Sequence, residues 1–331
     1  MDENSIKGEH VTLLKRSIII LLVIIAAAAQ GFFASARAGD RNSALVNGVP
    51  VTEAQLEAAI DEFLPTAFFH GSVTPEKRNE FRPKALENLI KKELYHQAAK
   101  GKGYAVTGQE LDGAVKKVAD RFKSKEEYQR TLKAAGLTQK SLEKNLEREL
   151  LIAQFVAKEI NEKAEVSDAM LVDYYEKNKA NFLKPESFRI RHIMIKVDPT
   201  VTAEERQKLK QEALDILEKA KKGEDFGDLA YKYSQDAWRV KYGDLGFVHK
   251  GRLDPQLEEV AFKLEKGKMS ELIQTIYGYH IVKLEDTIPA KQLSMDEVRD
   301  SLRKQLFTER KKDLEEKLLK GLKEKAKIEI F

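Results

Sequence analysis

The C-terminal segment 291–331 constrains the fold more than any other part of the chain. Ser294-x-x-Glu297 forms a capping box. Behind it Val298, Leu302, Leu306, Leu314, Leu318 and Leu322 recur at helical spacing among closely set Lys, Arg, Asp and Glu. A helix of ~30 residues is about 45 Å long, more than a small domain needs to cover its own core. A lone amphipathic helix cannot bury its stripe, so this one requires a partner elsewhere in the chain. Residues 326–331 read as a closing strand suited to pair with Ala44-Leu45-Val46. Both chain ends are therefore expected in one domain.

The partner is the region 44–183, which reads as helical. After the strand at Ala44 and an Asn47-Gly48 turn, Thr52-x-x-Gln55 opens a helix. Thr74-Pro75 opens a second, with threonine as N-cap and proline in the first turn. Its apolar positions Leu86, Leu89, Ile90, Leu94 and Ala98 keep helical spacing until Gly101 and Gly103. Thr107-x-x-Glu110 and Ser124-x-x-Glu127 read as further capping boxes, and a long helix carries Leu142, Leu146, Leu150 and Phe155. Residues 167–183 (Met170, Tyr174, Tyr175) are expected as another helix, bounded by Lys184-Pro185 because proline disfavours helix at the residue before it. A helical core accounts for nearly every residue here, and no catalytic cluster is visible.

Between Pro185 and Pro289 the pattern changes. Residues 188–197 are β-rich, and Thr202-x-x-Glu205 caps a helix with Leu209, Ala213, Ile216, Leu217 and Ala220 that Gly223 ends. A short helix (Phe226, Leu229, Ala230, Tyr233) follows, then the glycine-rich Gly243-Asp244-Leu245-Gly246-Phe247 and Gly251, then a strand over 279–284. The fold class is α+β: a small α+β domain, 185–286, inserted in a mostly helical domain that segment 291–331 completes.

The N-terminus points to export. Lys15 and Arg16 precede the apolar run 18–29, and Ala34-Ser35-Ala36 supplies an A-x-A site, so 1–36 reads as a signal peptide. The same segment, taken as 17–36, also reads as an uncleaved membrane anchor. Either way the bulk of the protein is expected in the periplasm or cell envelope. Lys+Arg 58 against Asp+Glu 54 leaves a net charge of +4, and no dense basic block marks a nucleic-acid partner. The chain has no cysteine, which excludes disulfides, thiolate nucleophiles and Cys-ligated zinc or iron–sulfur sites. Neither GxxxxGK[ST] nor GxGxxG occurs, so no nucleotide loop is expected.

The middle domain carries Arg191-His192-Ile193-Met194, Asp225-Phe226-x-x-Leu229-Ala230-x-x-Tyr233-Ser234-x-Asp236, GDLGF from Gly243, Leu253, Phe262-x-Leu264-x-x-Gly267-x-Met269-Ser270 and GYHIV from Gly278. Over about 185–285 this resembles a parvulin-type peptidyl-prolyl isomerase domain. The flanking layout and the NGxxVT start resemble exported SurA-like and PrsA-like foldases. The resemblance implies an exported isomerase and foldase that acts on unfolded or partly folded, proline-containing polypeptides. It implies no cofactor and no metal. Its rivals are a chaperone whose parvulin module binds without catalysing, and a membrane-tethered adaptor.

By family position Leu245, Leu253 and Leu257 form the proline socket. His192 and His280 match the paired histidines, Asp236 the polar position beside the substrate carbonyl, and Thr275 lies nearby. The chemistry fits. Rotation about an X-Pro bond meets a barrier of ~18–20 kcal/mol without making or breaking a heavy-atom bond, so a shaped apolar and polar environment suffices. Each residue also has a plainer reading: the histidines as a core hydrogen-bond network, Asp236 as a loop cap, the leucines as core. Three positions depart from the family pattern. Leu257 replaces an aromatic, and Trp238 and Tyr277 replace small polar residues. The loop 198–205 lacks the arginine cluster of phosphate-reading members.

Overall fold

The computed structural model describes residues 41–63 and 74–331. The expected signal or anchor segment lies outside the described residues. Strands Asn42–Val46 (β1) and Val49–Thr52 (β2) form a hairpin. Its turn residues Asn47 and Gly48 have φ of 51° and 80°, the left-handed pair that Asn-Gly adopts most readily. Helices Glu53–Phe63 (α1), Pro75–Gly101 (α2), Gly108–Ala119 (α3), Lys125–Ala134 (α4) and Gln139–Val156 (α5) follow. Then come Asp168–Lys177 (α6), Leu183–Lys184 (β3), Ser187–Lys196 (β4), Ala203–Lys221 (α7), Phe226–Tyr233 (α8) and Asp244–His249 (β5). The chain closes with Pro255–Ala261 (α9), Ile273–Thr275 (β6), Gly278–Ile288 (β7), Lys291–Gln292 (β8), Met295–Lys325 (α10) and Ile328–Ile330 (β9).

Two compact units divide the described chain. The first ends at Ser167 and resumes as Arg303–Phe331; the second is Asp168–Leu302. In the first, β9 pairs antiparallel with β1 (Ala44 with Ile330, Val46 with Ile328), giving a sheet of order β2-β1-β9. Leu319, Leu322, Ala326 and Ile328 pack against Ala44, Val46, Ile90 and Leu94, while Leu314 and Leu318 pack against Tyr95, Leu151 and Phe155. The C-terminal half of this helix thus finds its partner in the N-terminal helices. The caps at Thr52, Thr74 and Thr107 form as expected. At Ser124 the hydroxyl accepts from the Glu127 N–H, but the Glu127 carboxylate accepts from the Lys123 N–H instead of the cap residue's own.

The helix expected over 167–183 stops at Lys177. A 3-10 turn, Lys179–Phe182, replaces its last part, and β3 then pairs with β8 (Leu183 with Gln292). Pro185 keeps Lys184 extended, so those residues are free to pair as strand. The Tyr175 hydroxyl donates to the Leu293 carbonyl. The second unit thus begins at Asp168, ahead of the Pro185 boundary read from the sequence.

The glycine-rich stretch is itself a strand, β5, at one edge of a four-stranded antiparallel sheet of order β5-β4-β7-β6. The pleat sorts the central strands. Ile193 and Ile195 of β4, Val197 just past its end, and Tyr279 and Ile281 of β7 face α7 and α8. Phe188, Ile190, Val282 and Leu284 face the other way, against Leu257 and Ala261 of α9. His192 and His280 belong by alternation to this second face.

Candidate isomerase site

His192 stands opposite Val282 on the central strand pair, and His280 stands opposite Met194. The two histidines are therefore diagonal neighbours on one face, within reach of each other. Their rings lie nearly parallel at 13°, with centroids 5.1 Å apart, and His192 Nε2 is 2.9 Å from His280 Nδ1. The pair extends in both directions. His192 Nδ1 is 2.7 Å from Asp236 Oδ2, and His280 Nε2 is 2.7 Å from Thr275 Oγ1. All four residues marked from the sequence as the polar site form one unbroken chain, Asp236–His192–His280–Thr275.

The ends of that chain are tied to backbone. Asp236 Oδ1 accepts from the Ser234 hydroxyl and from the N–H groups of Trp238 and Arg239, so the aspartate also caps the 3-10 turn Ala237–Lys241. Thr275 Oγ1 accepts from the Tyr277 N–H. One proton arrangement satisfies every group: Tyr277 N–H to Thr275, Thr275 O–H to His280 Nε2, His280 Nδ1–H to His192 Nε2, and His192 Nδ1–H to the Asp236 carboxylate. Burial, then the neighbouring His192, lowers the His280 pKa from 6.5 to about 4, so this imidazole is neutral at pH 7. Burial works to protonate Asp236, but hydrogen bonds from His192, Ser234 and the Trp238 N–H outweigh it and hold the carboxyl below its ordinary value. The plain reading of these residues, a satisfied hydrogen-bond network, and the site reading describe the same atoms.

The loop that delivers Asp236 is fastened to β4 beyond the end of β5. The Met194 N–H donates to the Ser234 hydroxyl, the Gln235 N–H donates to the Met194 carbonyl, and the Lys196 N–H donates to Gln235 Oε1. Behind His192 lies Gly243. Its carbonyl accepts the His192 N–H, its own N–H donates to Trp238, and its φ is 73°. A Cβ there would fall 2.5 Å from the His192 carbonyl oxygen and 2.9 Å from Ala230 Cβ, so only glycine fits. Ser234, 1% exposed, and Gly243 are the positioning residues that site-by-site reading passed over, although both stood inside the motifs.

The leucines divide. Leu257 is buried among Phe188, Ile190, Val282 and Leu284, with Leu253 half-buried against the same cluster. Ile190 precedes His192 by one pleat repeat and Val282 faces it, so this cluster adjoins the polar chain. Leu245 is half-buried on β5, outside the cluster. Leu257 forms the floor of the cluster, since at 8% exposure it offers little open surface. Phe188 and Phe262 stack there at 4.1 Å and 11°, supplying the aromatic bulk that Leu257 does not. Trp238 and Tyr277, by contrast, are exposed. Among the described residues no group of three or more His, Asp or Glu is disposed to hold a metal ion.

Residues 192–286 match the family of the PPIC-type PPIase domain, and residues 9–156 match the SurA-like N-terminal domain. The foldase protein PrsA of Caldanaerobacter subterraneus is 30% identical over 299 residues, covering 87% of this chain and 86% of the relative. The chaperone SurA of Nitrosococcus oceani is 29% identical over 257 residues, covering 77% of this chain. The chain spans only 60% and 56% of the SurA chaperones of N. oceani and Methylobacillus flagellatus. The crystal structure of a peptidylprolyl isomerase, PrsA of Bacillus anthracis, is 26% identical. It covers 72% of this chain and 96% of its own length, with a TM-score of 0.28.

Proposed function

The chain belongs to the parvulin-type family of SurA-like and PrsA-like foldases, and from that premise we propose that it is an exported peptidyl-prolyl cis-trans isomerase that assists the folding of unfolded polypeptides. The observation that carries this reading is the continuous chain Asp236–His192–His280–Thr275, set beside the apolar cluster of Leu253 and Leu257. Isomerisation needs the ring of proline held while the amide behind it twists. Half-buried Leu253 and buried Leu257, in one apolar cluster, provide an apolar seat. The hydrogen-bonded histidine chain provides a stiff polar wall against which the carbonyl turns. Because its hydrogen bonds are already made, that wall does not reorganise as the amide loses resonance, and its fixed dipoles favour the twisted state. Asp236 acts through His192 and the 3-10 turn, since both its oxygens are engaged.

Export is proposed from the N-terminal segment with its basic residues, apolar run and Ala34-Ser35-Ala36. Among the described residues no helix is long and apolar enough to cross a membrane. A second activity, holding clients, is supported by a groove of about 830 Å³ on the helical unit. Its lining includes Phe122, Tyr128, Leu132 and Leu137 with Ser124 and Lys133. Steady-state isomerisation of a proline tetrapeptide by the full chain tests the catalytic reading. Acceleration over the spontaneous rate, lost in Asp236→Ala, supports it; peptide binding without acceleration leaves the holding chaperone in its place.

A further inference from the structure

Resting on the isomerase reading of residues 192–286, we propose that the turn 237–242 is the specificity surface of this site and selects client segments that carry a carboxylate side chain next to the proline. Four observations converge on this turn.

It is fixed to the polar chain. The N–H groups of Trp238 and Arg239 both donate to Asp236 Oδ1, while Oδ2 of the same carboxylate takes His192. Whatever the turn displays is therefore held at a set distance from the histidines.

It displays apolar surface that folding leaves outside. Trp238, Val240 and Tyr242 are 39%, 72% and 47% exposed, and Tyr231, whose ring stacks on Tyr242 at 5.1 Å and 21°, is 49% exposed. Exposed apolar side chains gathered in this way mark contact surfaces.

Its backbone closes in a left-handed C-cap that carries a tyrosine. Tyr242 sits at φ 56°, in the left-handed region that bulky residues avoid and that glycine or asparagine would occupy freely. The surroundings hold it there: its carbonyl accepts from Arg191, its N–H donates to Arg239, and its ring lies on Tyr231. Strain of this kind collects at ligand sites.

Its cations lie on aromatic rings rather than on carboxylates. The Arg239 guanidinium lies 5.9 Å from the Tyr231 ring centroid and Lys241 Nζ lies 5.0 Å from that of Trp238. Neither has a carboxylate within ion-pair distance among the described residues, as is also true of Lys196, Lys232, Lys250 and Arg252 of the same unit, and Arg239 Nε donates to the Tyr231 carbonyl. The carboxylate nearest in sequence, Asp236, is committed to His192, Ser234 and the turn itself. Aromatic faces already carrying cations offer a second aromatic side chain little, but they hold guanidinium and ammonium groups in place for an incoming carboxylate. Acidic client residues are therefore the complementary class.

The experiment compares kcat/KM of the full chain on proline tetrapeptides that differ only in the residue before proline: Glu, Gln or Lys. The Glu peptide is expected to exceed the Gln peptide by roughly three- to ten-fold at low ionic strength, with the ratio shrinking as salt is added. Lys241→Gln and Arg239→Gln should each bring the Glu/Gln ratio toward one, and Lys241→Glu should shift preference toward the Lys peptide. Equal values for Glu and Gln in the wild type at low salt overturn the proposal, whatever the variants do. If no peptide is turned over, the isomerase reading fails separately. The comparison then passes to fluorescence-anisotropy affinities of the same peptides, where tighter Glu binding supports the acidic preference and equal binding overturns it.

Discussion

Gly243 and Gly246 have nearly the same backbone, φ 73° and 71°, but opposite surroundings, and substituting each by alanine separates two physical costs. In both variants an L-residue is forced into the left-handed region, at roughly 1–2 kcal/mol. At Gly246 nothing lies within 4 Å of the new Cβ, so that cost stands alone. At Gly243 the Cβ meets the His192 carbonyl at 2.5 Å and Ala230 at 2.9 Å. The first obstacle is backbone of a central strand, so either β4 or the 3-10 turn must move, adding about 1–3 kcal/mol of overpacking. The expected loss is therefore about 1–2 kcal/mol for Gly246→Ala and about 2–5 kcal/mol for Gly243→Ala. The chain has a single tryptophan, Trp238, whose carbonyl accepts the Gly243 N–H, so its fluorescence during urea unfolding reports this unit selectively. Because the displaced atom belongs to His192, proline-peptide isomerisation should fall further in Gly243→Ala than in Gly246→Ala. Equal destabilisation of the two variants would refute the close approach of Gly243 to His192.

Acid should weaken the second unit in two steps. Unfolded, His280 takes up a proton near pH 6.5, while the folded imidazole resists until about pH 4. The unfolded state therefore binds more protons between these values. Stability should drop as pH falls through that window, by about 3 kcal/mol at most, and His280→Gln should flatten the slope. Asp236, lowered from 3.8, adds a loss only below that value, as pH falls toward its folded pKa; unfolding midpoints from Trp238 fluorescence at pH 7, 5.5 and 4 check the order. Leu257→Ala should cost about 2–5 kcal/mol of stability. Leu253→Ala, at a half-buried position, should cost less stability but lower kcat/KM by roughly ten-fold, and the reverse pattern would place the seat elsewhere. Deleting 326–331 removes β9 from β1 and should lower the melting of the helical unit while sparing the Trp238-monitored transition; unchanged melting of both contradicts the shared sheet. Asp236→Ala should reduce isomerisation and also destabilise by about 1–3 kcal/mol, since it leaves His192, Ser234 and two N–H groups without their acceptor.

Local features were legible because they depend on neighbours in sequence. Thr74-Pro75, the Thr107 box, the Asn47-Gly48 turn and the period of Leu142, Leu146 and Leu150 each act within a few residues, and each forms where it was read. The stripe of the terminal helix went further. Its length and apolar face required a distant partner, and the only helical region rich enough to supply one lay at the other end of the chain. Boundaries were less legible. Nothing between Ser167 and Pro185 reveals that Leu183 will pair with Gln292, because a two-residue ladder is decided by where its partner arrives.

The site shows the same division. The resemblance to parvulin domains pointed to His192, Asp236, Thr275 and His280, and alternation set each histidine on a defined face of its strand. Their connection into one hydrogen-bonded chain depends on register, His192 against Val282 and His280 against Met194, and register is a property of the sheet rather than of either strand. Likewise the identity of Leu257 was plain, but its place in the cluster that Leu253 packs against follows from α9 packing on the face that also holds Phe188 and Ile190. Sequence determined which side chains were available and how each short segment would bend. Tertiary structure decided which of them meet, because contacts between residues far apart in the chain exist only once the strands and helices between them have found their partners.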